Sequence, residues 1–210
     1  RIGFEDDRFF DELLQVMNQT NVDLLSLHAR TVLGGYRSAP SYEHVKKAVG
    51  NVVCPVLLNG NVTSYKSANN LKQLTGSHGV MIGRSAIRNP WIFRQIREDQ
   101  AGLPVFRPTM SDVNDYIMEL YASIEKPGVV ETKNVGRMKK FLNFVGLSVD
   151  PDGQFLHGMR RVQTKKELFD VCSTFLIKEG RAEQLYNLEP FEGLVARPSS
   201  ETSYSTCQLG

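Results

Sequence analysis

Over residues 1–97, two spacing patterns of apolar residues alternate along the chain. Phe10, Leu13, Leu14 and Met17 follow the spacing i, i+3, i+4 and i+7, which predicts an amphipathic helix. The segment VDLLSLHAR comes next, and its mostly apolar run predicts a strand that ends at His28. The first part of the chain is therefore predicted to change repeatedly between helix and strand.

The alternation continues through two more helices and two more strands. SYEHVKKAV predicts a helix with Ser41 as its N-cap, and TSYKSANNLKQLTG a helix that ends at Gly76. CPVLLNGN and GVMIGR predict strands, and such apolar runs are typical of a parallel sheet covered by helices. Repeated βα units predict a (β/α)8 TIM barrel or a doubly wound sheet. The count of about three and a half units corresponds to roughly half a barrel.

After the segment AGLPVFRPT the alternation stops and only helical spacing remains. One apolar stripe runs through Val135, Met138, Leu142 and Val145, and a second through Leu168, Val171, Cys172 and Phe175. Thr164 and Glu167 predict a capping box that opens the second of these helices. We predict a partial barrel over residues 1–100, a linker over 101–108, an all-α domain over 109–188 and a disordered tail over 189–210, which is rich in Ser, Thr and Pro.

Composition excludes several classes of protein. The net charge is +2, from 25 basic and 23 acidic residues, so any surface for nucleic acid has to be local. The three cysteines form no CxxC pair, which argues against a zinc site, a disulfide framework and any other metal role. No run of 18 apolar residues predicts a membrane span. We expect a monomer in a reducing compartment, the cytoplasm or an organelle.

The chain opens with RIGFEDD, which lacks a methionine. Residues Arg1 to Phe4 have the pattern of the end of a strand. We therefore expect a further N-terminal segment before Arg1.

Glycine and polar residues follow two neighbouring predicted strands where each strand ends. One strand ends in Asn59-Gly60-Asn61 and the next in Gly83-Arg84. In a βα barrel, phosphate binds on the loops after the seventh and eighth strands. Glycine lets backbone N–H groups approach phosphate oxygens, and arginine adds a bidentate charged contact. The pair predicts a phosphate cradle, and the alternative is two plain strand-to-helix turns.

His28 also ends a strand, in the same layer as these glycines. Its position, with Arg30 two residues later, favours contact with a ligand over the alternative of a merely satisfied polar residue. Cys54 lies at the start of a strand, which makes it a poor candidate for a nucleophile, and Cys172 lies in an apolar stripe, which favours core packing. Cys207 lies in the tail.

Basic residues concentrate in one part of the helical region. Residues 133–166 contain eight basic and two acidic residues, whereas residues 98–210 as a whole contain 13 basic and 16 acidic. Lys133, Arg137 and Lys140 share a helix face opposite the first apolar stripe. Together with Arg160, Arg161, Lys165 and Lys166 they predict contact with phosphates of a nucleic acid, and the alternative is a solvated surface.

Three segments together resemble the C-terminal half of the barrel of tRNA-dihydrouridine synthases: LHARTVLGGYRSAPSYEHVKKAV, PVLLNGNVTS and GVMIGRSAIRNPWIF. The helical remainder is similar to the C-terminal domain of that family. Within it, VGRMKKFLNFVG and GMRRVQTKKEL are closest to the bacterial branch that modifies position 16 of the tRNA D-loop.

The resemblance implies an FMN flavoprotein that uses NADPH to reduce the C5–C6 double bond of a uridine in the tRNA D-loop. It places His28 at the flavin ring and Arg30 near the substrate or the flavin edge. It also implies FMN phosphate contacts for Asn59, Gly60, Gly83 and Arg84. If the nucleic acid is tRNA, the charge pattern described above predicts that the contacts come from Lys133, Arg137, Lys140, Arg160 and Arg161. Asn61 departs from the family, which commonly has an acidic residue there.

Two residues that the family uses have no counterpart in this sequence. The general-acid cysteine and a lysine that contacts the flavin would both precede Arg1, so we expect no catalytic residue in this chain and no turnover by it alone. Two other interpretations stay open. One is a different FMN barrel oxidoreductase with a small substrate, and the other is an inactive tRNA-binding fragment or pseudo-enzyme.

Overall fold

Three short parallel strands form the sheet of the first unit in the computed structural model, which describes residues 1–191. This unit is built on residues 1–86 and 92–104. Its elements are α1 (Phe10–Gln19), β1 (Leu25–His28), α2 (Tyr42–Asn51), β2 (Val56–Asn59), α3 (Tyr65–Thr75), β3 (Gly79–Met81), the start of α4 (Arg84–Arg88) and α5 (Ile92–Gln100). The strand order β1-β2-β3 follows the chain, and neighbouring strands are parallel, as in successive βαβ units.

The apolar sides of these helices and strands meet in one core. Leu27, Val56 and Leu58 of the sheet are buried, and so are the helix residues that cover them, Phe10, Leu14, Val45, Ala48, Ala68, Ile92 and Ile96. The predicted α/β alternation is confirmed. In the part of the chain that the structure describes, β1 and β3 are the edges of a three-stranded sheet, so closure into a barrel stays a prediction.

Helix ends in this unit agree with the sequence in part. Gly76 ends α3 in the left-handed region, with φ of 70°, as a C-cap glycine does. Ser41 lies at the N-cap of α2, but its side chain makes no bond to the helix backbone. Its Oγ lies 2.7 Å from Nδ1 of His44 instead. A capping box that the sequence analysis missed opens α3 through Ser64 and Ser67.

Two local predictions were wrong. Residues 1–4 are not a strand, although the N–H of Ile2 donates to the Arg30 carbonyl (3.3 Å) and the Gly3 carbonyl accepts from Val32 (3.0 Å). The residues Asn89-Pro90 also predict the start of a helix, but that helix begins at Ile92. The short helix α4 precedes it and begins directly at Arg84.

Helices alone build the second unit, which comprises residues 87–91 and 105–189. They are α6 (Met110–Ile124), α7 (Glu131–Val149), α8 (Gln154–Arg161), α9 (Lys165–Leu176) and a 3₁₀ turn at Lys178–Gly180. Both predicted apolar stripes lie in or against its core, and the Thr164–Glu167 capping box is confirmed. Most of the predicted tail, with Cys207, falls outside the described residues.

This helical unit contains a buried arginine, Arg88, whose burial was not predicted from the sequence. Arg88 is 1% exposed, and its guanidinium donates to Ser148 Oγ (3.3 Å) and to the Leu188 and Glu189 carbonyls (3.0 and 3.2 Å). Its own carbonyl accepts from the buried Tyr186 hydroxyl at 3.1 Å. Hydrogen bonds to several acceptors are what allow a charged group to be buried.

Candidate functional site

A cavity of about 220 Å³ lies at the C-terminal ends of the three strands. Its position follows from the register, which places His28 beside Asn59 and Asn59 beside Met81. The Asn59 side chain donates to the Met81 carbonyl at 2.8 Å and links the last residues of β2 and β3. The lining residues are His28, Arg30, Tyr36, Asn59, Gly60, Asn61, Val62, Met81, Ile82, Gly83, Arg84 and Ser85. The structure thus brings together all six residues of this unit that the sequence analysis singled out for binding.

Arg84 enters the cavity from the first residue of α4. Its guanidinium carbon lies 3.9 Å from the ring centroid of Tyr36, a stacked cation–π contact. Its Nη1 atom is buried and has no hydrogen-bond partner in residues 1–191. Tyr36, which follows Gly34-Gly35, was not among the predicted site residues. The available signal was an aromatic residue in the loop that follows His28 and Arg30.

Arg30 is held more tightly than a residue that only contacts substrate would need to be. It is 2% exposed, and its Nε donates to the Ser38 carbonyl at 2.6 Å. Its Nη2 donates to Oδ1 of Asn61 at 2.9 Å, while Nη1 is buried without a partner among the described residues. Asn61 has φ of 53°, in the left-handed region that Asn adopts more readily than most residues. Arg30 therefore ties the loop after β1 to the loop after β2.

His28 faces the cavity as a neutral imidazole. Burial, and to a smaller extent the positive charges of Arg1, Arg30 and Arg84, together lower the pKa of His28 to about 4. At pH 7 the ring is uncharged, and its Nδ1 has no hydrogen-bond partner in the described part of the chain. Such a ring offers one donor and one acceptor to a ligand.

The two glycines of the predicted cradle leave room for a ligand in different ways. Gly60 has φ of 134°, a conformation that favours glycine, and its carbonyl accepts from the Tyr42 hydroxyl at 3.2 Å. Gly83 lies outside the positive-φ region, and a Cβ built there would meet no atom within 4 Å. Neither the backbone nor a neighbouring side chain requires glycine at this position, so the space beside it is open on the cavity lining.

The chemistry of the lining fits an anion. Three groups, the imidazole of His28 and the guanidinium groups of Arg30 and Arg84, each present a buried nitrogen without a protein partner. No aspartate or glutamate is among the described residues that line the cavity. Buried donors without acceptors cost free energy, and a phosphate ester would supply the acceptors. The residues present therefore fit a phosphate-bearing group.

The basic residues of the helical unit differ in how far their side chains are already bonded to neighbouring residues. Lys133 and Lys140 are exposed on α7, and Arg137 is half-buried and donates to Oδ1 of Asn134 at 3.1 Å. Their face lies opposite the buried Val135, Met138 and Leu142, as predicted.

The side chains of the other four predicted basic residues make hydrogen bonds or ion pairs with neighbouring residues. Arg160 donates to Oδ1 of Asn143 (2.9 and 2.7 Å), and Arg161 donates to a carbonyl of its own helix. Lys165 pairs with Glu125 at 3.0 Å, and Lys166 with Asp170 at 2.7 Å. The positive surface that can meet phosphates without breaking such pairs is therefore centred on Lys133 and Lys140.

The two described cysteines do not line the cavity. Cys54 is buried just before β2, and Cys172 is buried in the core of the helical unit. Burial raises the pKa of Cys172 to about 12, so its thiol is not ionised near neutral pH.

Within residues 1–191, no group of three or more His, Cys, Asp and Glu side chains is arranged to hold a metal ion. A search of the same residues finds no helix with the length and apolar character for a membrane span.

Comparison of the sequence with known proteins points to one family. The sequence profile described as dihydrouridine synthase (Dus) matches residues 1–150. A tRNA-dihydrouridine(16) synthase of Neisseria meningitidis serogroup A is 26% identical over 175 residues, which cover 83% of this chain and 53% of that protein. A probable tRNA-dihydrouridine synthase of Helicobacter pylori (strain 26695) is 34% identical over 127 residues, which cover 59% of this chain and 38% of that protein.

The chain thus spans about half the length of the Neisseria relative and less of the Helicobacter one. The profile match covers well over half of the chain and includes every residue that lines the cavity. The resemblance predicted from the three strand-end segments is confirmed. The chain belongs to the dihydrouridine synthase family.

Proposed function

We propose that the protein is a tRNA-dihydrouridine synthase, which uses FMN and NADPH to reduce the C5–C6 double bond of a uridine in the tRNA D-loop. The relatives named as tRNA-dihydrouridine synthases support the reaction. The observation that carries the proposal is the cavity at the strand ends, where Nη1 of Arg30, Nη1 of Arg84 and Nδ1 of His28 are buried without partners in the described chain. The same proposal takes β1 to β3 as strands of a (β/α)8 barrel.

The phosphate of FMN would lie against Asn59, Gly60, Gly83 and Arg84. Glycine at both strand ends leaves the backbone accessible, and Arg84 provides a charged donor whose plane is fixed by Tyr36. When bound, the flavin supplies the hydride that the reduction needs. The residues of this chain would position the flavin and provide the positive charge that binds its phosphate.

His28 would contact the flavin ring without adding charge. Because burial and the nearby positive charges hold its pKa near 4, the imidazole is uncharged at neutral pH. Its Nδ1 can donate to the ring or accept from it, according to the tautomer. The general acid that the resemblance places on a cysteine would not come from Cys54 or Cys172, since both are buried outside the cavity lining.

Affinity for the phosphate of the flavin tests the proposal directly. The complete protein, freed of flavin, should bind FMN at least tenfold more tightly than riboflavin, because a charge-assisted hydrogen bond is worth about 1.5–3 kcal/mol. Flavin fluorescence gives both dissociation constants. Once reloaded with FMN and given NADPH and unmodified tRNA, the same protein should produce dihydrouridine, detected by mass spectrometry of nucleosides. Equal affinities for the two flavins would contradict the phosphate site.

Residues on the exposed face of α7 would hold the tRNA backbone. Replacing Lys133, Arg137 and Lys140 with alanine should weaken tRNA binding and flatten its salt dependence. Each lost phosphate contact lowers the slope of log K against log salt by about 0.7–0.9. tRNA affinity of the complete protein across a salt series measures that slope.

A second triple variant controls for the change in total charge. Lys46, Lys66 and Arg97 are exposed on helices of the first unit, and their replacement with alanine removes the same charge. Flavin content should stay unchanged in both variants. If the two triple variants have the same slope, the face of α7 does not contact RNA.

A further inference from the structure

The loop between α6 and α7 begins with a tight turn. Four residues form it, Lys126, Pro127, Gly128 and Val129, and the Val129 N–H donates to the Lys126 carbonyl at 3.3 Å. Gly128 has φ of 74°. Proline followed by a glycine with positive φ is typical of a type II turn, because each residue favours the backbone angles that its position requires. The turn therefore has a defined shape, although Lys126, Pro127 and Gly128 are exposed.

One buried side chain fixes this turn to α7. Asn134 is 3% exposed. Its amide bonds both backbone groups of Lys126: Oδ1 accepts from the N–H and Nδ2 donates to the carbonyl, each at 3.3 Å. The same Oδ1 also accepts from Nη1 of Arg137 at 3.1 Å. A single oxygen atom therefore holds the backbone of Lys126 close to the guanidinium group of Arg137.

The acids nearest to Lys126 in the sequence are bonded to another residue. Glu125 pairs with Nζ of Lys165 at 3.0 Å, and Glu131 accepts from the backbone N–H of Lys165 at 2.9 Å. Within residues 1–191, Lys126 itself forms no ion pair. The turn thus adds a positive charge that no carboxylate neutralises, and its backbone lies beside Arg137, a member of the basic face of α7.

We propose that this turn is a further part of the tRNA-binding surface: Lys126 contacts a phosphate of the RNA backbone, and Asn134 is a positioning residue that holds Lys126 beside Arg137. The inference rests on the proposed function, because it takes tRNA as the partner of the α7 face. A lysine on a fixed backbone loses less conformational entropy on binding than one on a mobile loop, which favours such a contact. The alternative is a turn that only connects α6 and α7.

Lys126→Ala in the complete protein tests the phosphate contact. The slope of log K against log salt should fall by about 0.7–0.9, the value for one lost contact, which corresponds to about five- to eightfold weaker tRNA binding at 0.1 M salt. Lys66→Ala removes the same charge from an exposed position of α3 and should leave affinity and slope unchanged. The exposed Lys126 side chain can be removed without disturbing the core, so both variants should unfold at the wild-type temperature.

Asn134→Leu tests the positioning role, because leucine has a similar volume but makes none of the three hydrogen bonds. It should weaken tRNA binding at least as much as Lys126→Ala does. In a protein that already carries Lys126→Ala and Arg137→Ala, the same change should alter tRNA affinity less than about twofold, because its effect passes through those two side chains. Flavin content should stay unchanged in all of these variants.

The outcomes distinguish this inference from the proposal beneath it. A salt slope that survives the replacement of Lys133, Arg137 and Lys140 would overturn the α7 face as an RNA-binding surface. If that triple variant loses slope and Lys126→Ala does not, only the contact of Lys126 is overturned. An Asn134→Leu variant that unfolds, or that loses equal affinity with and without the side chains of Lys126 and Arg137, would assign Asn134 to stability and overturn its positioning role.

Discussion

Replacing Arg84 with alanine is expected to weaken FMN binding by the complete protein about 10- to 150-fold. The change removes a charge-assisted contact worth about 1.5–3 kcal/mol and the cation that lies on Tyr36. Riboflavin binding should hardly change. The variant should therefore lose flavin on purification, which visible absorbance measures, and should lose most of its preference for the phosphorylated flavin.

Two other variants define what Arg84 contributes. Arg84→Lys retains the charge but not the planar fork, so its affinity for FMN should lie between those of the wild type and Arg84→Ala. Arg97→Ala removes an exposed arginine of α5 outside the cavity lining and should retain flavin fully. If Arg84→Ala keeps its FMN as well as Arg97→Ala does, Arg84 does not bind the phosphate.

Gly146→Ala is expected to lower the free energy of unfolding by about 1–3 kcal/mol, although alanine favours helix. Gly146 lies buried in α7, and a Cβ built there would overlap side-chain carbons of Leu156 on α8. Leu156 is itself 2% exposed and has no solvent to move into. The close approach of α7 and α8 therefore depends on the missing side chain.

The same helix provides a matched control at Gly136. A Cβ built at Gly136 would meet no atom within 4 Å, and its φ is not positive. Gly136→Ala should therefore raise the free energy of unfolding by about 0.5–1 kcal/mol, the helix propensity difference between the two residues. Urea unfolding of both variants followed by circular dichroism measures these changes. A Gly146→Ala variant that gains stability as Gly136→Ala does would mean that α7 and α8 do not pack as closely as the structure has them.

Regular spacing explains why much of this fold could be predicted from the sequence. The stripe through Val135, Met138 and Leu142 has the period of a helix, and burial follows directly from it. His28 and Asn59 could be placed together because adjacent parallel strands end at the same edge of a sheet. These predictions needed only local pattern and general rules of topology.

The contacts that complete the site depend on irregular segments, which have no such period. Tyr36 lies in a loop, and its stacking on Arg84 joins positions that no spacing rule connects. The pairing of Arg30 with Asn61 was likewise unforeseen: the sequence analysis treated Asn61 only as a missing charge, and the structure shows it as the acceptor that holds an arginine. Side-chain partners across loops have to be read from the three-dimensional structure.

The acceptors of Arg88 limit where the gene can be cut to produce the helical unit by itself. They include the carbonyls of Leu188 and Glu189, about a hundred positions later in the chain. A recombinant product that stopped at Asn187 would lack both carbonyls, and the buried guanidinium group would lose those hydrogen bonds. Each hydrogen bond that a buried polar group fails to make costs about 1–3 kcal/mol. The shortest coding segment for that unit must therefore start before Arg88 and run through Glu189.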